Sequence, residues 1–306
     1  MLLYALLLVF IIAPALLGLA SLYRDQIALS PEAVTPTNQI QWRLILGSAL
    51  YCCIAFNLTF FIQEIGLVFP KAFTPGLTPT LYHNDHSWDG EHNLAYLFQG
   101  TGALATVASG LISFYLVQSE RLKSVGSRLF FLWMAYCGIF MALPQVVIGA
   151  LNPYNDVGMA MDYFNLTTAS KNFLALVAIL LMPALAMMLT RPFLSLVAEQ
   201  VSTSTRGSCS RFIAQIVSLP ALLAVLLIIP YRIPREWVEV LILPVIVLFL
   251  GTVWIQANAW RLTNTKASSE LKPLSLKTAG LWALLLLLIF HITLRPGVTV
   301  NIAAAF

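Results

Sequence analysis

Three of the chain's four histidines, with two aspartates and a glutamate, fall in the stretch Leu81-Tyr-His-Asn-Asp-His-Ser-Trp-Asp-Gly-Glu-His-Asn93. Imidazole nitrogens and carboxylate oxygens are ligands that zinc, iron, copper and manganese accept. The His83/His86 spacing lets one helical turn or a tight loop bring both rings onto one ion. Asp89-Gly90 reads as a turn that folds His92 back toward them. The spacing therefore predicts a divalent metal, zinc in the first place, bound by His83, His86 and His92, with Asp85, Asp89 and Glu91 as further ligands. The bland alternative is a polar loop, although Ser, Asn, Lys or Glu would serve solubility better than three histidines.

Two more carboxylates and the fourth histidine join the candidates. Glu64 stands in an apolar stretch, where an ionisable side chain is costly and must face a partner, a cavity or water. It is a candidate general base, or else an interfacial acid paired with Lys71. Asp156 lies in Asn152-Pro-Tyr-Asn-Asp-Val-Gly158 and is a fourth candidate metal ligand, although Pro153 and Gly158 also suit a helix-ending turn. His291 is a further ligand candidate. Pro144-Gln145 predicts a kinked helix that offers Gln145 or a freed carbonyl to a cavity.

The elements that must position these groups are membrane spans. Of 306 residues, 59% are hydrophobic and 10% charged, against about a quarter charged in soluble domains. Apolar windows of spanning length occur at roughly 2–22, 43–69, 93–117, 129–151, 172–193, 212–231, 237–259 and 278–294. They predict an all-α, polytopic transmembrane bundle of about eight helices, forming one integral-membrane domain over 1–306 with the lipid bilayer as its partner. Small residues at Gly102, Thr106 and Gly110 predict close helix packing. The formal charge of +4 belongs to inter-span cations and does not indicate nucleic acid. Cys52, Cys53, Cys137 and Cys209 lie in spans or in a cytoplasmic loop, which argues against a disulfide framework.

Loop cations set an orientation. Arg24, Arg43, Arg121, Lys123, Arg128, Arg191, Arg206, Arg211, Arg261, Lys266, Lys272 and Lys277 fall beside the loops after odd-numbered spans. Only Lys71, Lys171, Arg232, Arg235 and Arg295 fall on the other side. By the positive-inside rule the first group is cytoplasmic. Both termini, the histidine-rich loop, the 152–158 segment and His291 are then extracytoplasmic, in a cell membrane expected to be a prokaryotic inner membrane. The flexible 201–210 segment is expected to be a cytoplasmic linker.

Three segments together resemble the site-2 protease family of intramembrane zinc metalloproteases. Gln63-Glu64-Ile65-Gly66-Leu67 occupies the place of a His-Glu-x-x-His motif. Gln99 to Gly110 corresponds to a glycine-rich helix start, and Asn152-Pro153 to Asp156-Val157-Gly158 to the segment supplying a third ligand. The resemblance covers about 43–160 and implies a metal-dependent hydrolase. Gln63 and Leu67 stand where the family has its zinc histidines. What it then implies is either a site rebuilt from His83, His86 or His92 with Glu64 and Asp156, or a pseudoenzyme. Two other readings remain open from the residues: a non-enzymatic metal- or haem-binding accessory subunit with a membrane-protein partner, and a small-solute transporter lined by Asn57 and Glu64.

Overall fold

The computed structural model describes residues 2–27, 40–119, 121–196, 206–262 and 271–303. Of the expected flexible linker at 201–210, residues 201–205 lie outside the described residues, while 206–210 are helical, part of a helix Arg206–Ile213. Among the described residues, eight helices are long and apolar enough to cross a membrane: α1 (Leu2–Ala20), α2 (Trp42–Ala72), α3 (Leu94–Gln118), α4 (Val125–Leu151), α6 (Thr168–Leu194), α7 (Gly207–Arg232), α8 (Val238–Ala259) and α9 (Leu276–Leu294). A short helix, α5 (Asp156–Tyr163), lies between α4 and α6. The hydropathy windows anticipated every span. Their ends differ by up to five residues, and at the starts of α4 and α6 polar caps, absent from a hydropathy average, extend the helices. Ser124 accepts a hydrogen bond from Ser127 N at the start of α4, and Thr167 from Ser170 N at the start of α6; both satisfy orphan N–H groups of a first turn.

The bundle is apolar on its outside as well as in its core. On α3, Leu104, Leu111, Ile112 and Tyr115 are each more than half exposed, while Glu64, Lys71 and Arg232 are buried. In water this distribution would expose a large contiguous apolar surface, and a bilayer is the solvent it suits.

α2 and α4 are the central helices. Trp133 Nε1 donates to Ser48 Oγ at 3.0 Å. The Tyr136 hydroxyl donates to Leu248 O at 2.6 Å and accepts from Gly251 N and Thr252 N, clamping α8 to α4. The small residues of α3 pack as their spacing predicted. A Cβ on Gly102 would stand 2.7 Å from Leu67 Cγ of α2, and one on Gly138 of α4 would stand 2.6 Å from Gly110 Cα. Gly102 thus makes room for a side chain of α2, while Gly110 and Gly138 bring two backbones together; packing this close adds dispersion between helices that gain nothing from excluding water.

The apolar windows did not reveal a small sheet at one end of the bundle. β1 (Thr78–Leu81) and β2 (His86–Asp89) form an antiparallel hairpin, registered Thr78 with Asp89 and Leu81 with His86. A C-terminal strand, β3 (Val298–Thr299), pairs with β1 on its other side. Ile302 N also donates to Ala72 O at 3.0 Å, tying the C-terminal segment to the end of α2. The sheet and α5 sit at the end of the bundle where α2 and α4 finish and α3 and α6 begin.

Candidate functional site

The hairpin decides where each histidine goes. Its turn, Tyr82 to Asp85, is closed by a hydrogen bond from Tyr82 N to Asp85 O at 2.9 Å, and its tip dips into the end of the bundle. His83 there is 2% exposed, with ring centroids 5.4 Å from Phe290 and 5.6 Å from His291. Burial, with smaller effects from His291 and two arginines, pushes His83 down to about 4, so it is neutral at pH 7. Asn84 Nδ2 donates to Arg232 O at 3.0 Å and pins the tip to the end of α7.

His86 opens β2, and alternation along the strand puts its ring on the same face as Trp88. The two rings stack with centroids 5.9 Å apart. His86 Nδ1 lies 2.8 Å from Glu64 Oε2, and Nε2 lies 3.0 Å from Gln99 Oε1. Lys71 donates to the same Gln99 oxygen at 3.2 Å, with its ammonium 4.4 Å from the Trp88 ring centre. These contacts fix the tautomer. An ammonium only donates, so the Gln99 atom facing Lys71 is the carbonyl oxygen, and His86 must donate to it from Nε2. The Nδ1···Oε2 contact then holds one proton, either as imidazolium and carboxylate or as neutral imidazole and carboxylic acid. Glu64 is paired with His86, and the expected alternative partner, Lys71, is engaged by Gln99 and Trp88.

Glu64, His86 and Asp156 line one cavity of about 310 Å³. Its polar wall includes Gln63, Asn84, Gln145 and Asn155, and its apolar wall includes Phe60, Met141 and Ile148. Pro144 and Gln145 face it as expected from the proline: Gln145 Nε2 donates to Gln63 Oε1 at 2.8 Å and to Met141 O at 2.9 Å. Asp156 begins α5, where Asn155 caps the helix by accepting from Val157 N. Gly158 lets α5 lie against α4, since a Cβ there would stand 2.3 Å from Asn152 O. Burial pushes the Asp156 carboxyl up to about 6; His86 and Lys71 pull it down, while Glu64 and Asp85 add to the rise.

Two arginines that the sequence analysis used only to set the orientation complete the cavity. Arg235 donates to Asp85 and to both oxygens of Glu239. Arg232 is 1% exposed and stacks 3.9 Å from the Phe60 ring centre. Its Nη2 is 3.8 Å from Glu239 Oε2, beyond hydrogen-bond reach, and none of its guanidinium nitrogens has a hydrogen-bond partner among the described residues. A buried charge without hydrogen bonds costs several kcal/mol, of which stacking on an aromatic face returns about 0.5–2 kcal/mol. The signal was in the charge count, since both arginines fall on the side where cations are sparse.

The expected metal set is dispersed. Of its members, the structure brings together His86, Asp156 and Glu64, with Asp85 nearby. His83 and His291 form a separate contact, and His291 Nε2 bonds to Pro230 O at 2.8 Å. Gly90 does adopt a turn conformation at φ +96°, but it does not fold His92 inward. His92 is exposed, its Nδ1 accepting from Leu94 N at 3.2 Å at the start of α3. Asp89 and Glu91 are also exposed. Among the described residues no three His, Cys, Asp or Glu side chains are grouped to hold an ion. A metal ligand also needs a bare imidazole nitrogen, and His86 uses one in donating to Gln99 and the other on Glu64. The residues in this arrangement do not fit a zinc centre.

A larger cavity of about 550 Å³ between α2, α4 and α9, lined by Ile54, Phe130, Trp282 and Ile289, has no acid or imidazole in its wall. Cys52, Cys53 and Cys137 are buried free thiols, and Cys209 is buried as well. Comparison of the chain with protein-family models, curated proteins and solved structures finds no match.

Proposed function

We propose that this membrane protein is a hydrolase that performs acid–base chemistry in the Glu64/His86/Asp156 cavity. The observation that carries the reading is the 2.8 Å His86–Glu64 contact in the cavity wall, with the tautomer set by Gln99 and Lys71. That contact stores one proton, which suits the pair to act as general acid toward a leaving group. Asp156, with its carboxyl at about 6, is ionised at pH 7 yet basic enough to take a proton from water. Two titratable centres held in opposite protonation states are the usual basis for dividing acid and base roles. The amides of Gln63, Gln145 and Asn84 are available to orient a polar substrate against the apolar wall.

The resemblance to intramembrane metalloproteases supports this reading in placement: Glu64 and Asp156 retain the family's positions while Gln63 and Leu67 replace its histidines. We also place the cavity at the extracytoplasmic face of a prokaryotic inner membrane, on the support of the loop cations.

The test has two parts. In ¹⁵N spectra of purified protein, His86 Nε2 is expected to be protonated, and replacing Lys71 by Met to release that tautomer. In a panel of chromogenic esters, amides and phosphoesters, Glu64→Gln and His86→Ala are each expected to lower turnover at least about 100-fold. Chelation and elemental analysis run alongside. Turnover unchanged in both variants, or activity that tracks bound zinc, would overturn the acid–base assignment.

A further inference from the structure

We infer that Arg232 is the binding point for a singly charged oxyanion, a carboxylate or phosphodiester, at one end of the same cavity. The inference rests on the cavity being a substrate site and names the chemistry of what enters it. The guanidinium is 1% exposed, lines the cavity, and has no hydrogen-bond partner on Nε, Nη1 or Nη2 among the described residues. The neighbouring carboxylates are engaged elsewhere: both Glu239 oxygens receive Arg235, and Asp85 receives Arg235 and the His86 amide. The Arg232 fork, with Glu239 Oε2 at 3.8 Å as its nearest carboxylate oxygen, therefore has its hydrogen-bonding donors open to an incoming group, and these planar donors match a two-oxygen anion.

The charge of that anion is limited by its surroundings. Glu64, Asp85, Asp156 and Glu239 share the cavity wall with Arg235, which Asp85 and Glu239 engage, and with Arg232, which stands 3.8 Å from Glu239. A second negative charge on the ligand would face these acids without a counter-charge. The opposite wall, Phe56, Phe60, Met141, Ile148 and Leu243, is apolar and fits a hydrocarbon portion beside the anionic head.

The experiment is calorimetric titration of the full chain in dodecyl maltoside with acetate, dimethyl phosphate and decanoate. Saturable binding near one equivalent per chain, weakened at least tenfold in Arg232→Gln and less in Arg232→Lys, is the expected result. Binding of acetate or dimethyl phosphate as tight as decanoate identifies a soluble anion; binding of decanoate alone identifies an amphiphile. Size-exclusion and thermal unfolding check each variant, and if Arg232→Gln does not fold, Arg232→Lys carries the comparison. Glu64→Gln is expected to keep the binding, so loss of turnover in that variant with retained affinity separates the acid–base role from the anion site. Absence of saturable binding for all three probes, or equal affinity in wild type and the Arg232 variants, would overturn the assignment.

Discussion

Replacing Asp156 by Asn tests the cavity's electrostatics without removing its shape. Burial is the main reason its carboxyl rises from 3.8 to about 6. A carboxyl raised in the folded state costs stability when ionised. That cost is fully present above pH 6 and fades as pH falls through the interval between the folded and unfolded values. About two pKa units correspond to roughly 3 kcal/mol. At pH 5 the folded carboxyl is largely protonated while the unfolded one is ionised, so the cost is about half as large. Asp156→Asn, which cannot ionise, should therefore be more stable than the wild type by up to about 3 kcal/mol at pH 7.5, with the gain vanishing near pH 4. Equilibrium unfolding of detergent-solubilised protein at pH 7.5, 6, 5 and 4 provides the measurement. A stability difference that is independent of pH would refute the argument, because replacing one polar group by another does not mimic a titration. Turnover should fall in the same variant although the protein is more stable, which is the trade expected of a strained functional acid.

His83 should show the opposite slope. Its imidazole is held at about 4, so folding excludes a proton that the unfolded chain binds below about pH 6.5, and stability is lost as pH falls from there toward 4, by up to about 3 kcal/mol. His83→Phe, placed against Phe290, should abolish that loss; a variant that keeps the wild-type acid profile would contradict it. The two effects nearly cancel in the wild type, so each is measured as a difference between wild type and variant. Gly158→Ala would put a Cβ 2.3 Å from the Asn152 carbonyl oxygen; backbone on both sides cannot yield cheaply, so α5 should shift, with Asp156 losing its raised pKa and the variant destabilised by about 1–3 kcal/mol. Retention of the Asp156 titration near 6 in that variant would show that Gly158 does not position the acid.

The spans were legible because one physical demand, satisfying backbone groups inside hydrocarbon, writes itself into sequence as long apolar runs. The close α3 contacts were legible for a related reason: only small residues let helices pack this close, and Gly102 and Gly110 are where they do. The hairpin was not legible. Thr78-Pro79-Thr80-Leu81 and His86-Ser87-Trp88-Asp89 are four-residue strands without a long alternating pattern, and the strand that completes the sheet comes from more than two hundred residues away. Such pairing is set by tertiary contact and not by local preference.

That missed hairpin explains the fate of the histidine cluster. Proximity in sequence suggested one ion, but a tight turn followed by a strand sends neighbouring side chains in different directions. His83 goes under α9, His86 toward α2, and His92 lies beyond a glycine turn at the surface. Glu64 was identified from a rule that does not depend on local conformation, the cost of an acid in an apolar span, and it lies in the cavity wall. Arg232 obeys the same rule and was overlooked because it ends its span beside a proline, where a cation reads as a boundary. Its 1% exposure and empty donors mark it as a cavity residue. In this chain the costly groups, each buried against its solvation preference, identify the site more reliably than the clustered ones, because burial cost must be met by a specific partner while clustering in a loop need not be.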